Sequence, residues 1–216
     1  GGKTYFPNAY ANCRILRKLG CKLPIEWYYM GDEMPEAWIE YAEQIPGVKC
    51  IKLDLDLKGN SFDKFRGGWQ SKTKAILASS FDEILYIDAD CFAVKDPSYL
   101  FETKEYKEFG SIFLPDLWKW DKKRWEVIGK KYNLDFEERW EFEGGAMLFN
   151  KNKCLEALKV CDKLNENSKD TYKVLFGDKD TFYIAWRQTN TPFYQIQTPT
   201  YILNGGKGGL LVQHDT

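Results

Sequence analysis

The 216 residues suit one α/β domain, with 44% apolar and 16% aromatic residues and 31 Lys and Arg set against 32 Asp and Glu. That balance leaves no basic surplus for nucleic acid, no apolar run approaches the ~20 residues of a membrane span, and no signal peptide is visible. The opening Gly1-Gly2 without a Met is what a domain excised from a longer, anchored protein would show. Localisation therefore stays open between the cytoplasm and the lumenal part of an anchored enzyme, and the chain itself is expected to make no membrane contact.

Ala9, Ala11, Ile15, Leu16 and Leu19 predict an amphipathic helix from Pro7 to Leu19, stopped by Gly20 as a C′ glycine. Leu23 to Met30 reads as a strand, Met34 to Ile45 as a helix with Pro35 and Glu36 in its first turn, and Val48 to Leu53 as a second strand. This alternation predicts a mostly parallel sheet sandwiched by helices, in one domain. Asn60 to Gly68 is a polar loop, Gln70 to Ser80 a helix, and Glu83 to Ile87 a short apolar strand. Asp96-Pro97 caps a short helix to Phe101, and Ser111 to Leu114 is a strand.

Leu117 to Trp140, rich in Trp, Lys and Glu, reads as a decorated helix. Gly144 to Asn150 is a strand, Lys151 to Asn165 a helix, Phe176 to Trp186 a segment that turns helical, and Pro192 to Gln197 a strand. Asn204 to Thr216 is Gly-rich, then apolar through Leu210-Leu211-Val212. The eight Trp and 13 Tyr either stack on sugar or base rings or form an aromatic core. The six Cys form no CxxC, which disfavours a zinc site, and they read as small buried apolar residues, with disulfides left open.

The chemistry centres on Asp88-Ala89-Asp90, where two carboxylates leave the carboxyl end of an apolar strand, the edge at which open α/β sheets bind ligands. Hard oxygen ligands suit Mn²⁺ or Mg²⁺, which also hold nucleotide phosphates. The alternative is a turn with two solvated aspartates. His214, the one His in the chain, follows an apolar strand and is a candidate third ligand.

In Gly177-Asp178-Lys179-Asp180, Asp178 can cap the helix that follows, or Asp178 or Asp180 can accept hydrogen bonds from sugar hydroxyls. Glu143, before Gly144-Gly145, is a candidate contact to the acceptor or the transferred sugar. Gly1 and Gly2 at a helix start, and Lys72 in the helix before the aspartates, are candidates for phosphate, although neither stretch is a P-loop.

Phe6-Pro7-Asn8-Ala9-Tyr10, Trp69-Gln70-Ser71-Lys72, Leu85 to Asp90, Gly177 to Phe182 and Gln213-His214-Asp215, in this order, resemble the fungal-type α-mannosyltransferases that extend cell-wall mannan, and related algal-virus and protist glycosyltransferases. The resemblance implies a GT-A fold, a nucleotide-diphosphate sugar donor such as GDP-mannose or a UDP-sugar, Mn²⁺, and retention at the anomeric carbon. It also implies Asp88, Ala89 and Asp90 at the metal and diphosphate, His214 as a further ligand, and Asp178 at the acceptor or transferred sugar. Members of this family usually carry an apolar strand just before the position of Gly1. A nucleotide-binding half of about 1–116 and an acceptor-binding half of about 117–216 follow, with a glycan or glycoprotein as acceptor. The rival readings are a nucleotidyltransferase that makes nucleotide sugars and a non-catalytic carbohydrate-binding module.

Overall fold

The computed structural model describes residues 2–54, 68–205 and 208–214. Helix α1 (Gly2–Lys18) starts before Pro7 and is stopped just beyond its end by Gly20, whose φ of +91° supports the backbone bonds Gly20 to Arg17 and Cys21 to Leu16 that close the last turn. Strand β1 (Ile25–Met30), helix α2 (Glu36–Glu43) and strand β2 (Val48–Leu53) follow as the alternation predicts, and β1 pairs with β2 in parallel. Cys13, Trp27, Met34, Ala42, Ile45 and Val48 form the core beneath them.

Helix α3 (Ser71–Ala78) leads into strand β3 (Glu83–Ile87), the span expected from sequence. Asp96 caps a 3₁₀ helix over Pro97–Glu102 by accepting from the Ser98 amide at 3.0 Å. Helix α4 (Lys104–Phe109) then turns through Gly110 into strand β4 (Ser111–Lys119). The decorated helix expected over Leu117 to Trp140 is only partly present. Strand β4 runs on to Lys119, helix α5 covers Lys122–Tyr132, and strand β5 (Trp140–Asn150) already begins at Trp140. Asp121 accepts from the Arg124 amide and fixes where α5 starts, a polar cap that separates strand from helix.

Helices α6 (Lys151–Glu166), α7 (Ser168–Thr171) and α8 (Asp178–Gln188), strand β6 (Tyr194–Gln195), and the hairpin β7 (Tyr201–Gly205) and β8 (Gly208–Val212) complete the order. The central sheet runs β3-β5-β4-β6. Its β4–β6 pair is parallel while β5 lies antiparallel to both neighbours, so the parallel pattern of the first half gives way to a mixed sheet. The core on this sheet is aromatic: Phe113 stacks on Phe142 at 3.9 Å between centroids, and Phe149, Phe182, Tyr183 and Trp186 surround them. Trp120 and Trp125 are buried in this core, and Trp118 is 69% exposed. Most of the aromatic surplus there is therefore packing. All six cysteines are free thiols, four of them buried. No helix among the described residues is long and apolar enough to cross a membrane.

Candidate active site

Strands β1 and β3 are each an edge strand of their sheet, and a cleft of about 940 Å³ runs along both. Its inner wall comes from α1 and α3, and at the carboxyl ends of the strands it is lined by Asp88, Ala89, Asp90, Lys72, Glu143 and Asp178. Chain direction explains this convergence. β3 delivers Asp88 where the sheet ends, α3 returns Lys72 beside it, and the antiparallel β5 brings Gly144 and Gly145 to the same edge.

The chain turns sharply after β3. The Asp88 amide donates to the Gly145 carbonyl at 2.7 Å, and the Cys91 amide donates to the Asp88 carbonyl at 3.0 Å. Asp88 and Asp90 thus stand on one tight turn, with Asp90 exposed. Tyr86, two residues earlier on β3, donates its hydroxyl to Asp88 Oδ1 at 2.5 Å. Burial raises the Tyr86 phenol well above its ordinary pKa, so it stays a donor.

Lys72 is the hub. Its Nζ lies 2.9 Å from Asp178 Oδ2 and 3.3 Å from Asp88 Oδ2, and it donates to the Gly144 carbonyl at 2.7 Å. Burial works against the charge, but the Asp178, Tyr86 and Asp88 groups outweigh it and hold the ammonium protonated, well above its usual range. Gly144 makes room for this: a Cβ there would stand 3.2 Å from Lys72 Nζ and 3.3 Å from Lys179 Cβ. Gly177 makes room for Trp69 in the same way, because a Cβ there would meet the Trp69 ring at 2.6 Å. Asp178 is the first residue of α8 rather than its cap; Gly177 holds the cap position and has no side chain to bond with.

Behind the cleft lies a second ionic group. Asp180 is 1% exposed, pairs with Arg124, and accepts from the Phe176 amide at 2.8 Å. Arg124 also reaches Glu141 at 2.8 Å, and Lys179 bridges Glu141 and Asp116. Burial pushes the Asp180 carboxyl up to about 6, against the pull of Arg124 and the Phe176 amide. Of the two carboxylates expected at a sugar hydroxyl, Asp178 lines the cleft and Asp180 does not. This charge group was not legible in the sequence. Its members are spread from Asp116 to Asp180, and no spacing rule links them.

The other candidates fall as follows. Glu143 lines the cleft, with Oε2 folded onto the amides of Gly145 at 2.6 Å and Ala146 at 3.3 Å. Gly2 begins α1, while Gly1 lies outside the described residues. His214 is exposed, sits edge-on to the Tyr201 ring at 5.4 Å between centroids, and is not among the cleft-lining residues.

Among the described residues no three His, Cys, Asp or Glu side chains form a ready metal cluster. A divalent ion that shares its shell with substrate phosphates needs only one or two protein carboxylates. Asp88 and Asp90, on one turn at the cleft mouth, meet that requirement by donor chemistry.

Comparison with known proteins gives a consistent result. The Mannosyl_trans3 model, which describes mannosyltransferases, matches residues 1–140 and 135–206. The α-1,2-mannosyltransferase MNN2 of Candida albicans is 28% identical over 90% of this chain and 40% of its own length. MNN2 of Saccharomyces cerevisiae is 26% identical over 100% of this chain and 44% of its own length. The chain therefore spans less than half of these relatives. Among solved structures, the galactosyltransferase LgtC in complex with donor and acceptor sugar analogs superposes with a TM-score of 0.60 over 90% of this chain and 70% of that one, at 15% identity. The bifunctional glycosyltransferase WbbM gives a TM-score of 0.60 over 90% of this chain and 37% of that one, at 12% identity. The fold is GT-A, as the sequence resemblance implies.

Proposed function

The chain belongs to the Mannosyl_trans3 family of mannosyltransferases, and on that premise we propose that it transfers a sugar from a nucleotide-diphosphate sugar to a glycan or glycoprotein acceptor. In this reading Asp88 and Asp90 would hold Mn²⁺ or Mg²⁺, residues up to about 116 bind the nucleotide, and the remainder shapes the acceptor side. The names of the α-1,2-mannosyltransferase relatives support mannose as the sugar, and GDP-mannose as the first donor to test. One observation carries the reading: the Asp88–Asp90 turn opens on the cleft at the carboxyl end of β3, with buried Lys72 tied to both Asp88 and Asp178.

The bound ion would offset the charge that builds on the departing diphosphate. The chain's own residues do the rest. Lys72 and Tyr86 fix the Asp88 carboxylate from two sides, so that its geometry is set before the donor arrives. Asp178, held at the α8 start by Lys72, faces the cleft as an acceptor for a hydroxyl of the transferred sugar. The bond from the anomeric carbon to the phosphate oxygen breaks, and the acceptor oxygen bonds to the same carbon from the same face. The acceptor's proton leaves to the freed phosphate oxygen, and attack on the face the phosphate leaves gives retention without a protein nucleophile. Positioning supplies most of the rate.

The test is a thermal-shift screen of GDP, UDP, GDP-mannose and UDP-sugars with and without Mn²⁺, followed by product analysis with a mannoside acceptor. Ligand that binds only the folded state raises the melting temperature. A shift with one base that requires metal, and a glycoside product, support the reading. Pyrophosphate as the product would overturn it in favour of nucleotide-sugar synthesis.

A further inference from the structure

Helix α1 contributes one face to the cleft through Tyr5, Phe6, Ala9, Asn12, Cys13 and Leu16. Five of these are apolar or aromatic, as a helix stripe packed toward strands should be. Asn12 is the exception, and it is 6% exposed. Burying an amide costs free energy unless its hydrogen bonds are made. Half of them are. Asn12 Nδ2 donates to the Cys91 carbonyl at 2.7 Å and to the Asp88 carbonyl at 3.4 Å, reaching residues 79 and 76 positions away. Among the described residues Asn12 Oδ1 finds no hydrogen-bond partner. The amide cannot be turned to relieve this, because Oδ1 would then oppose two carbonyl oxygens. A buried acceptor is left unpaired so that two donor bonds can reach the turn that carries the aspartates.

We infer that Asn12 is a positioning residue: its carboxamide latches α1 to both ends of the Asp88–Cys91 turn and so holds in place the backbone from which the Asp88 and Asp90 carboxylates project. This inference rests on the reading of those carboxylates as the metal and diphosphate site. The turn's backbone is also held by the bonds from Asp88 to Gly145 and from Cys91 to Asp88, while Lys72 and Tyr86 hold the Asp88 carboxylate itself. The Asp88–Gly145 bond ties the turn to β5 and the Cys91–Asp88 bond closes it on itself, so among the described residues the Asn12 amide supplies the hydrogen bonds that tie it to α1.

The experiment compares wild type with Asn12→Leu, which keeps the branching and approximate size, and with Asn12→Gln, which keeps the donor on a longer arm. Amide hydrogen exchange of the peptide spanning Ile87 to Phe92 reports the latch directly, without donor or metal. Transfer kinetics report its consequence. Asn12→Leu should exchange faster in that peptide while β5 and α6 keep their protection. It should also raise the Mn²⁺ activation constant and the donor KM about tenfold, with the acceptor KM unchanged. Asn12→Gln should restore part of both. Unchanged exchange in a folded Asn12→Leu variant overturns the latch. So does a uniform gain in exchange across the whole protein, which marks general destabilisation. Faster exchange confined to the turn, with metal and donor constants at wild-type values, overturns the positioning role. Failure of the underlying site is separately visible, since Asp90→Ala would then transfer normally.

Discussion

Lys72 Nζ and Asp178 Oδ2 meet at 2.9 Å, and the two side chains keep only 11% and 10% of their surface exposed. Removing one member of a buried ion pair strands the other, at a cost of about 3–5 kcal/mol. Lys72→Met should therefore lower stability by roughly that amount and also abolish transfer. Lys72→Met combined with Asp178→Asn should recover much of the stability and none of the activity. Chemical denaturation and a transfer assay on the three proteins check this. A double variant no more stable than the single one would contradict the pairing.

Gly144 gives a sharper probe of the same cluster. Gly144→Ala places a methyl group 3.2 Å from Lys72 Nζ and 3.3 Å from Lys179 Cβ. The ammonium is held by three partners, and the Lys179 Cβ is close to backbone, so neither yields freely. The expected result is a loss of kcat of about tenfold or more with a small change in melting temperature, because misplacing catalytic groups by even ~1 Å is costly. A large fall in melting temperature with unchanged kcat would show that Gly144 serves packing alone.

Asp180 should impose a pH dependence on stability. Its carboxyl is pushed up to about 6 in the folded protein, chiefly by burial, from an ordinary value of 3.8. A group whose folded pKa is raised adds its stability in full below the unfolded value and loses it as pH rises through the folded one. Wild-type stability measured relative to Asp180→Asn should fall between about pH 4 and pH 6, by at most ~1.4 kcal/mol per pH unit, and level off above. Denaturation midpoints across pH 4 to 8 test it. A difference that rises with pH would mean that Arg124 depresses the Asp180 pKa instead.

Much of this was legible in the chain. The apolar stretch Ile84–Ile87 running into Asp88-Ala89-Asp90 carries its own signal, because an apolar strand can end in two carboxylates only where solvent or a ligand meets it. Gly20 and the Asp96 cap declared themselves through local backbone chemistry. Leu117 to Trp140 did not. Its Trp residues mix core and surface, so neither a helical nor a strand period stands out, and the Asp121 cap was hidden among charges. The parallel pattern of the first half gave no warning that β5 enters antiparallel, since direction is set by where α5 releases the chain. Lys72 could be placed near the aspartates by order alone. Its three partners, and the reach of Asn12 across 79 positions, depend on tertiary contacts that no local pattern encodes.

His214 lies outside the cleft lining, against Tyr201. A metal site built on Asp88 and Asp90 with substrate phosphate should therefore survive its loss in part. His214→Ala is expected to weaken the Mn²⁺ requirement constant by less than Asp90→Ala does, measured as metal activation of transfer. Equal losses in the two variants would place His214 in the metal shell and require the hairpin that precedes it to fold over the cleft.

The most direct test of the Asp88–Asp90 site is calorimetric titration of GDP and UDP into wild type and Asp90→Ala, each with and without Mn²⁺. The account predicts that one nucleotide binds wild type tightly only with Mn²⁺, and that Asp90→Ala reduces this affinity at least about tenfold while its melting temperature stays near wild type. Binding of equal strength without metal, or undiminished in Asp90→Ala, would contradict it.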